Sequence, residues 1–174
     1  CEVRKTEITV FEVGFGTGLN AFLTLEASLK QNKKVRYMAV EIYPLLSEVY
    51  TNLNFAVTSA EQERFLRLHT ADWEQYEAIE PCFSLKKTAI DFTKMSLNDT
   101  FDVVYFDAFS PEKQPEMWSE ALFEKLYNAM NDGGVLVTYC AKGVVRRTMQ
   151  SVGFSVERIA GPVGGKREIL RARK

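Results

Sequence analysis

The segment Glu12-Val13-Gly14-Phe15-Gly16-Thr17-Gly18-Leu19-Asn20 decides the fold of this chain. An apolar run from Ile8 to Phe11 precedes it and predicts a buried strand, and residues 19–30 predict the helix that follows. Glycines let the backbone turn tightly, and they let a ligand approach without meeting a Cβ atom. A strand, a glycine-rich turn and a helix N-terminus therefore predict a loop that binds a nucleoside-containing cofactor.

The spacing of the glycines narrows the choice of cofactor. A dehydrogenase fingerprint has the pattern Gly-x-Gly-x-x-Gly, which would place its third glycine where Leu19 stands. The glycines here alternate, and an acid lies two residues before the first one. This pattern resembles the first motif of S-adenosylmethionine-dependent methyltransferases. The resemblance implies that the cofactor contacts Glu12, Gly14, Phe15, Gly16, Gly18 and Asn20.

The composition is that of an ordinary globular protein, with 46% hydrophobic and 26% charged residues. A length of 174 residues suits one hydrophobic core, so we expect a single domain over residues 1–174. No apolar run approaches the roughly 18 residues that a membrane helix needs, which predicts no membrane association. The chain opens at Cys1 without a methionine, so we expect a fragment that lacks an N-terminal segment.

The scarcity of cysteine and histidine argues against several kinds of site. Cys1, Cys82 and Cys140 are far apart and form no Cys-x-x-Cys pair, which disfavours a zinc site or a disulfide framework. His69 is the only histidine, which disfavours a Ser-His-Asp triad and a multi-histidine metal centre. We therefore expect no metal cofactor and a reducing, cytoplasmic location.

The basic residues concentrate at the C-terminal end of the chain. Between Lys142 and Lys174 there are nine basic residues and only two acidic ones, Glu157 and Glu168. Charge separated in this way is typical of a surface that binds a polyanion, and a merely solvated C-terminal stretch is the alternative.

Predicted strands and helices alternate, which is typical of a parallel sheet covered by helices. Further strands are expected at residues 35–40, 83–90, 101–106 and 135–139. Further helices are expected at residues 44–53, 60–68, 118–130 and 144–151. Asp132-Gly133-Gly134 is expected to end the third of these helices, and residues 154–159 and 169–172 predict a terminal hairpin. The predicted fold class is α/β, a mostly parallel sheet with an antiparallel C-terminal hairpin, as in Rossmann-like S-adenosylmethionine methyltransferases.

Four acidic residues lie at successive predicted strand ends, and ligands of open α/β sheets bind at the carboxyl ends of the strands. Glu41 lies twenty-three positions after Gly18 and suits the two ribose hydroxyls. Asp91 suits the exocyclic amine of adenine, and Glu12 suits the methionine ammonium or supports the turn. Asp107 is expected nearest to the transferred methyl group. A helix cap or a solvated loop end is the alternative for any one of these acids.

Three further motifs carry a closer resemblance. They are Asp-Ala-Phe-Ser-Pro-Glu-Lys-Gln-Pro-Glu-Met-Trp at 107–118, Lys-Gly-Val-Val-Arg-Arg at 142–147 and Gly-Lys-Arg-Glu at 165–168. Together with Gly-Phe at 153–154, they resemble the methyltransferase domain of the bacterial tRNA 5-methylaminomethyl-2-thiouridine biosynthesis enzymes over nearly the whole chain. In that family the domain methylates the exocyclic amine of an aminomethyl-uridine at the tRNA wobble position. The resemblance therefore implies S-adenosylmethionine as cofactor and tRNA as substrate.

The resemblance also suggests roles on the acceptor side. Asp107 is the candidate catalytic residue, which would orient the amine and accept its proton. Phe109 and Pro111 are expected to line the pocket, with Phe109 stacking on the uracil ring; loop packing is the alternative for Phe109. Trp118 is expected either to stack on a base or to anchor the start of a helix in the core. Residues expected to contact tRNA phosphates are Lys142, Arg146, Arg147, Lys166 and Arg167.

In many bacteria this domain is fused to a flavin-dependent oxidase that prepares the amine. No second glycine-rich dinucleotide motif exists in this sequence, so we expect no oxidase domain and no flavin. A separate enzyme would then supply the aminomethyl-uridine.

Three other functions stay open from the sequence. The first is a small-molecule amine or hydroxyl methyltransferase, and the second is an aminopropyltransferase resembling spermidine synthase. The third is a degenerate RNA-binding or scaffold domain that kept the fold without the cofactor. The basic C-terminal segment disfavours the first two, and the intact glycines with their four acids disfavour the third.

Overall fold

A seven-residue strand, β1 (Glu7–Val13), leads into the glycine loop, and α1 (Leu19–Gln31) leaves it. The computed structural model describes residues 6–162, 164–165 and 167–174. The chain divides into an N-terminal unit, Cys1–Phe92, and a C-terminal unit, Thr93–Lys174. The expectation of a single domain over residues 1–174 stays a prediction.

The N-terminal unit is built on parallel strands with one antiparallel edge. After α1 come β2 (Lys34–Val40), α2 (Ser47–Tyr50), α3 (Ser59–Thr70), β3 (Tyr76–Glu80) and β4 (Phe83–Thr88). The spatial order of its strands is β3-β4-β2-β1. Strand β2 pairs in parallel with β1 and β4, whereas β3 pairs antiparallel with β4. Fully buried core side chains of this unit include Phe11, Leu25, Tyr37, Phe65 and Leu85.

The C-terminal unit combines one parallel pair with an antiparallel hairpin. Its elements are β5 (Phe101–Phe106), a 3₁₀ turn (Pro115–Trp118), α4 (Glu120–Asn128), β6 (Met130–Thr138), α5 (Gly143–Ser151), β7 (Ser155–Ala160) and β8 (Glu168–Arg173). Another 3₁₀ turn, Phe92–Lys94, lies where the chain passes from one unit to the other. The spatial order is β5-β6-β8-β7, with β5 and β6 parallel. The terminal hairpin of β7 and β8 is confirmed, and so is the predicted α/β fold class.

The helix expected at residues 44–53 is wrong in extent, because only Ser47–Tyr50 is helical. Its apolar periodicity predicted a buried face. Leu46 and Val49 are instead 66% and 42% exposed, so these two apolar side chains contribute little packing that would stabilise a longer helix.

The expectation that Asp132-Gly133-Gly134 ends a helix is also wrong. Helix α4 already ends at Asn128, and these residues lie inside β6. The pairing of β6 with β5 shifts register here, from Phe101↔Met130 to Val103↔Val135, so the ladder between the two strands is irregular at this point. Gly133 has a φ of 76°, a conformation that favours glycine. The two glycines therefore serve an irregular strand rather than a helix end.

The edge strand β3 was not predicted, because its sequence carries charged residues and little alternation. Three expected boundaries also move: β4 ends at Thr88 rather than residue 90, β6 begins at Met130 rather than residue 135, and the helix expected at 118–130 is the shorter α4. Ser119, in an extended conformation, separates the 3₁₀ turn from α4.

Candidate functional site

The glycine loop has a backbone conformation that only glycine adopts readily. Gly14, Gly16 and Gly18 have φ angles of 90°, 50° and 72°, all in the left-handed region. Gly18 is the N-cap residue of α1, and its N–H donates to the carbonyl of Phe15 at 2.8 Å. Among the residues that the structure describes, a Cβ atom on Gly16 would meet only the Gly14 carbonyl, at 4.0 Å, so the space above the loop is open.

Glu41, the residue directly after β2, braces this loop. One carboxylate oxygen accepts the N–H of Gly16 at 2.9 Å, and the other accepts the N–H of Tyr43 at 2.8 Å. Each oxygen keeps a second lone pair, so the half-buried carboxylate retains acceptor capacity toward a ligand hydroxyl. The predicted ribose-binding acid therefore also holds the turn in shape.

Glu12 lies next to the end of β1 and is fully buried. One of its oxygens accepts the side-chain N–H of Asn20 at 2.9 Å, which joins the strand to the first turn of α1. Of the two roles expected for Glu12, this contact favours support of the turn. It also places Asn20 as a partner of the acid rather than as an independent group.

Phe15 and Asp91, two further predicted cofactor residues, differ in their exposure to solvent. The side chain of Phe15 is 5% exposed, so the glycine loop turns this residue into the core. Asp91 is half-buried and lies three residues after the end of β4, in the loop that leads to the buried Phe92. A cofactor contact by Phe15 would therefore use its backbone.

The acceptor loop, residues 107–118, begins directly after β5 and is fixed by two hydrogen bonds. The hydroxyl of Tyr139 donates to the Ala108 carbonyl at 2.8 Å, and the indole N–H of Trp118 donates to the Phe109 carbonyl at 2.8 Å. Trp118 is 7% exposed and packs edge-on against Phe106, with ring centroids 5.0 Å apart. Of the two roles expected for Trp118, its burial favours anchoring the start of a helix in the core. The side chain of Asp107 is exposed at the start of the loop.

The environment of Tyr139 raises the pKa of its hydroxyl above the usual value of 10.0. Burial is the largest cause, and electrostatic interactions with Cys140 and Asp107 add to it. The hydroxyl is thus protonated at neutral pH, which is the state that donates to the Ala108 carbonyl.

The two apolar residues expected in the acceptor pocket differ in exposure. Phe109 is 58% exposed, a large value for an aromatic ring, whereas Pro111 is half-buried. The ammonium of Lys113 lies 6.0 Å from the centre of the Phe109 ring. The loop-packing alternative for Phe109 does not account for a ring that presents most of its surface to solvent.

The basic C-terminal segment is partly neutralised by its own contacts. Lys142 forms an ion pair with Glu112, and the guanidinium of Arg171 contacts Glu157 at 2.8 Å. Arg158, Arg173 and Lys174 also have acidic or carbonyl partners within this unit. These contacts reduce the number of cations presented to a polyanion.

The remaining residues predicted to contact phosphates differ in their exposure to solvent. Arg147 and Arg167 are exposed, whereas Arg146, its neighbour on α5, is half-buried. Over the described part of the chain, the buried Nε of Arg146 has no hydrogen-bond partner. Lys166 lies outside the described residues.

Sequence reasoning missed three residues that shape the site. Tyr139 ends the predicted hydrophobic strand at residues 135–139, so its position indicates only a structural role. His69 follows the predicted helix at residues 60–68 and Lys87 lies within the predicted strand at residues 83–90, where the local pattern indicates no site, yet both lie beside the glycine loop.

Over residues 6–162, 164–165 and 167–174, no helix is long and apolar enough to cross a membrane. The same part of the chain contains no group of three His, Cys, Asp or Glu side chains that could hold a metal ion.

Comparison with known proteins places this arrangement among methyltransferases. A family described as S-adenosyl-L-methionine-dependent methyltransferase matches residues 58–174. The tRNA 5-methylaminomethyl-2-thiouridine biosynthesis bifunctional protein MnmC from Marinomonas sp. (strain MWYL1) is 32% identical over 183 residues, covering 96% of this chain and 26% of that protein. The protein with the same name from Campylobacter fetus subsp. fetus is 31% identical, covering 98% of this chain and 29% of that protein. The chain therefore spans less than a third of the length of these relatives.

Solved structures give the same answer for the fold. MNMC2 from Aquifex aeolicus superposes with a TM-score of 0.74 and 26% identity, over 97% of this chain and 54% of that one. The S-adenosylmethionine-dependent methyltransferase SibL in its apo form superposes with a TM-score of 0.57 and 19% identity, over 96% of this chain and 50% of that one. The predicted Rossmann-like methyltransferase fold is confirmed. Because the family match covers most of its residues, this chain belongs to the S-adenosyl-L-methionine-dependent methyltransferases.

Proposed function

We propose that this chain transfers a methyl group to the exocyclic amine of an aminomethyl-uridine at the wobble position of tRNA. The observation that carries the proposal is the match, over 96–98% of the chain, to relatives named for tRNA 5-methylaminomethyl-2-thiouridine biosynthesis. Those relatives are bifunctional, and the chain corresponds to 26–29% of their length. The proposal therefore concerns the methyl transfer alone.

The residues of the N-terminal unit fit S-adenosylmethionine. The backbone above Gly16 is open, and the carboxylate of Glu41 keeps acceptor capacity for the ribose hydroxyls. When bound, this cofactor supplies a methyl group on a positively charged sulfur. Glu12 and Asn20 would keep the first turn of α1 in place beside the methionine moiety, and Asp91 would accept from the adenine amine.

Asp107 would orient the acceptor amine and take its proton. An alkylamine is mostly protonated at neutral pH and must lose a proton before it attacks a methyl group. A carboxylate of ordinary basicity removes such a proton only weakly, so alignment of the amine is the larger contribution. The exposed ring of Phe109, two residues further on, is positioned to stack on a base that has left its stack.

The exposed guanidinium groups of Arg147 and Arg167 would contact tRNA phosphates. Such contacts contribute salt-dependent affinity and do not read the base sequence. Lys142 would join them only if tRNA displaced its partner Glu112. The expected phosphate contact is therefore smaller than the nine basic residues of this segment suggest.

The test is transfer of labelled methyl to total tRNA from cells that lack this activity, followed by nucleoside analysis. We expect label in a methylaminomethyl-uridine. Asp107→Asn keeps the shape of the side chain and removes its charge, so it should lower the rate by about a hundredfold or more. Its melting temperature should still rise with S-adenosylmethionine, because the cofactor residues are unchanged.

Two outcomes would contradict the proposal. Labelling of a small-molecule amine, with none in tRNA, would favour the small-molecule methyltransferase. Wild-type turnover by Asp107→Asn would remove Asp107 from the mechanism.

A further inference from the structure

The only histidine of the chain contacts the backbone of the glycine loop. His69 lies in the last turn of α3, and its Nε2 is 3.1 Å from the carbonyl oxygen of Thr17. A carbonyl oxygen can only accept a hydrogen bond, so Nε2 carries the proton and donates it. The imidazole thus holds the loop at the residue between Gly16 and Gly18.

The same ring packs on two segments that flank the proposed cofactor site. It stacks on the ring of Tyr50, with centroids 4.4 Å apart and an angle of 13° between the planes. It meets Phe15 of the glycine loop edge-on at 5.4 Å. Tyr50 belongs to α2, in the segment that follows Glu41. One side chain therefore connects the loop beside Glu12 with the segment after Glu41.

The closeness of this contact gives a second reason for glycine at position 18. A Cβ atom there would lie 3.0 Å from Nε2 of His69 and 3.2 Å from the ring of Phe15. Any side chain would push the imidazole away from Thr17. The third glycine of the motif thus makes room for a histidine that lies fifty-one positions later in the sequence.

Helix α3 is held in place by charged groups. The Lys87 ammonium donates to the backbone carbonyl of His69 at 2.6 Å and lies 4.8 Å from the centre of the Trp73 ring. Lys87 is 1% exposed, and its burial lowers its pKa to about 8. Arg64 of the same helix forms a two-pronged pair with Glu26 of α1, at 2.7 and 3.0 Å. His69 therefore approaches the loop from a fixed helix.

The charge state of His69 suits a constant contact rather than a switch. Burial lowers its pKa to about 4, and the charge of Lys87 also lowers it, while the bond to Thr17 acts in the opposite direction. The ring is consequently neutral at physiological pH.

We infer that His69 is a positioning residue for cofactor binding, which acts by donating a hydrogen bond to Thr17 in the glycine loop. The inference rests on the proposed cofactor site. His69 would be a second residue that holds the loop in place, in addition to Glu41. Glu41 comes from the end of the parallel strand β2, and His69 comes from the end of helix α3.

Three variants separate the hydrogen bond from simple packing. His69→Phe keeps an aromatic ring and removes the donor. His69→Gln loses the ring but places an amide N–H near the position of Nε2. Leu68→Val trims the neighbouring buried side chain and leaves the bond to Thr17 intact. Each is measured for S-adenosylmethionine affinity by calorimetry and for melting temperature without ligand.

For His69→Phe we expect the dissociation constant for S-adenosylmethionine to rise about tenfold, which corresponds to about 1.4 kcal/mol. His69→Gln should recover part of this affinity. Leu68→Val should lower the melting temperature and leave the dissociation constant unchanged.

The outcomes distinguish this inference from the proposed function. Absence of binding to the wild-type protein at millimolar S-adenosylmethionine would overturn the proposed function and this inference with it. Wild-type binding with an unaltered affinity for His69→Phe would overturn the inference alone. Equal weakening in His69→Phe and His69→Gln would also overturn it, since the donor would then have no role.

Discussion

Replacing Glu41 with glutamine changes one atom and removes half of the brace on the glycine loop. Both carboxylate oxygens accept a backbone N–H, from Gly16 at 2.9 Å and from Tyr43 at 2.8 Å. An amide has one oxygen and one NH₂ group, so it accepts only one of these hydrogen bonds. At the other position its NH₂ group would face a backbone N–H, and two donors repel each other. Hydrogen bonds to charged groups contribute about 1.5–3 kcal/mol, and the half-buried position favours the lower part of this range.

We therefore expect Glu41→Gln to lower the free energy of unfolding by about 2 kcal/mol. For a chain of this size each kcal/mol shifts the melting temperature by about 2–4 °C, so the fall should be about 4–8 °C. Thermal unfolding followed by circular dichroism, without ligand, measures it. The affinity for S-adenosylmethionine should also fall, because the same carboxylate is the proposed ribose ligand.

The matched control is Glu63→Gln, the same chemical change at an exposed position on α3. Surface substitutions of this kind usually lie within about 0.5 kcal/mol, or about 2 °C for this chain. If Glu41→Gln melts no lower than Glu63→Gln, the two backbone hydrogen bonds do not stabilise the turn and the reasoning fails.

Three other perturbations test separate features. Tyr139→Phe removes the donor to Ala108, so it should cost about 1 kcal/mol in denaturant unfolding and lower the transfer rate with S-adenosylmethionine affinity unchanged; an unchanged rate would show that this bond does not position the acceptor loop. Reversal of Arg147 and Arg167 to glutamate should weaken tRNA binding. It should also reduce the slope of the logarithm of the tRNA-binding constant against the logarithm of salt concentration by about one unit for each phosphate that the protein no longer neutralises. A constant slope in filter binding would exclude both arginines from phosphate binding. Because the pKa of His69 falls from 6.5 to about 4 on folding, the unfolded chain binds an extra proton between these two pH values. The free energy of unfolding should therefore rise with pH across that window, and His69→Phe should flatten the rise. An identical pH profile of stability for both proteins would contradict the low pKa.

Apolar runs and glycine spacing correctly predicted those strands and helices whose structure depends mainly on neighbouring residues in the sequence. Strand β5 has the bounds that its apolar run predicts, and α1 begins at Leu19 as expected. The terminal hairpin followed from two short apolar runs near the end of the chain. In each case the spacing of apolar residues in the sequence matches the side chains that are buried in the structure, so the element could be predicted without knowing its distant contacts.

The errors occurred where distant residues decide. The apolar spacing after Pro44 predicted a helix, but Leu46 and Val49 remain 66% and 42% exposed, so distant residues pack on them only in part. Gly133 and Gly134 were predicted to end a helix because the register shift against β5 depends on strand pairing that a sequence does not display. Glu12, Glu41 and Asp107 lie at strand ends as expected, whereas Asp91 lies three residues after β4. The hydrogen-bond partners of Glu41 and Glu12 could not be inferred from spacing.

Basic residues were the least predictable part of the candidate site. Lys142 belongs to a conspicuous motif, but its ammonium pairs with Glu112, thirty positions earlier. Counting charges along the chain gives the sign of a surface. It does not show which cations are already satisfied by hairpin partners such as Glu157.

The two bonds onto the Ala108 and Phe109 carbonyls have a consequence for protein engineering. Their donors come from different places, the 3₁₀ turn for Trp118 and the residue after β6 for Tyr139. Residues 107–111, transplanted alone into another methyltransferase, would therefore leave behind the groups that give them their shape. A graft that keeps the shape of this loop must include both aromatic donors, so the portable module extends from Asp107 through Tyr139.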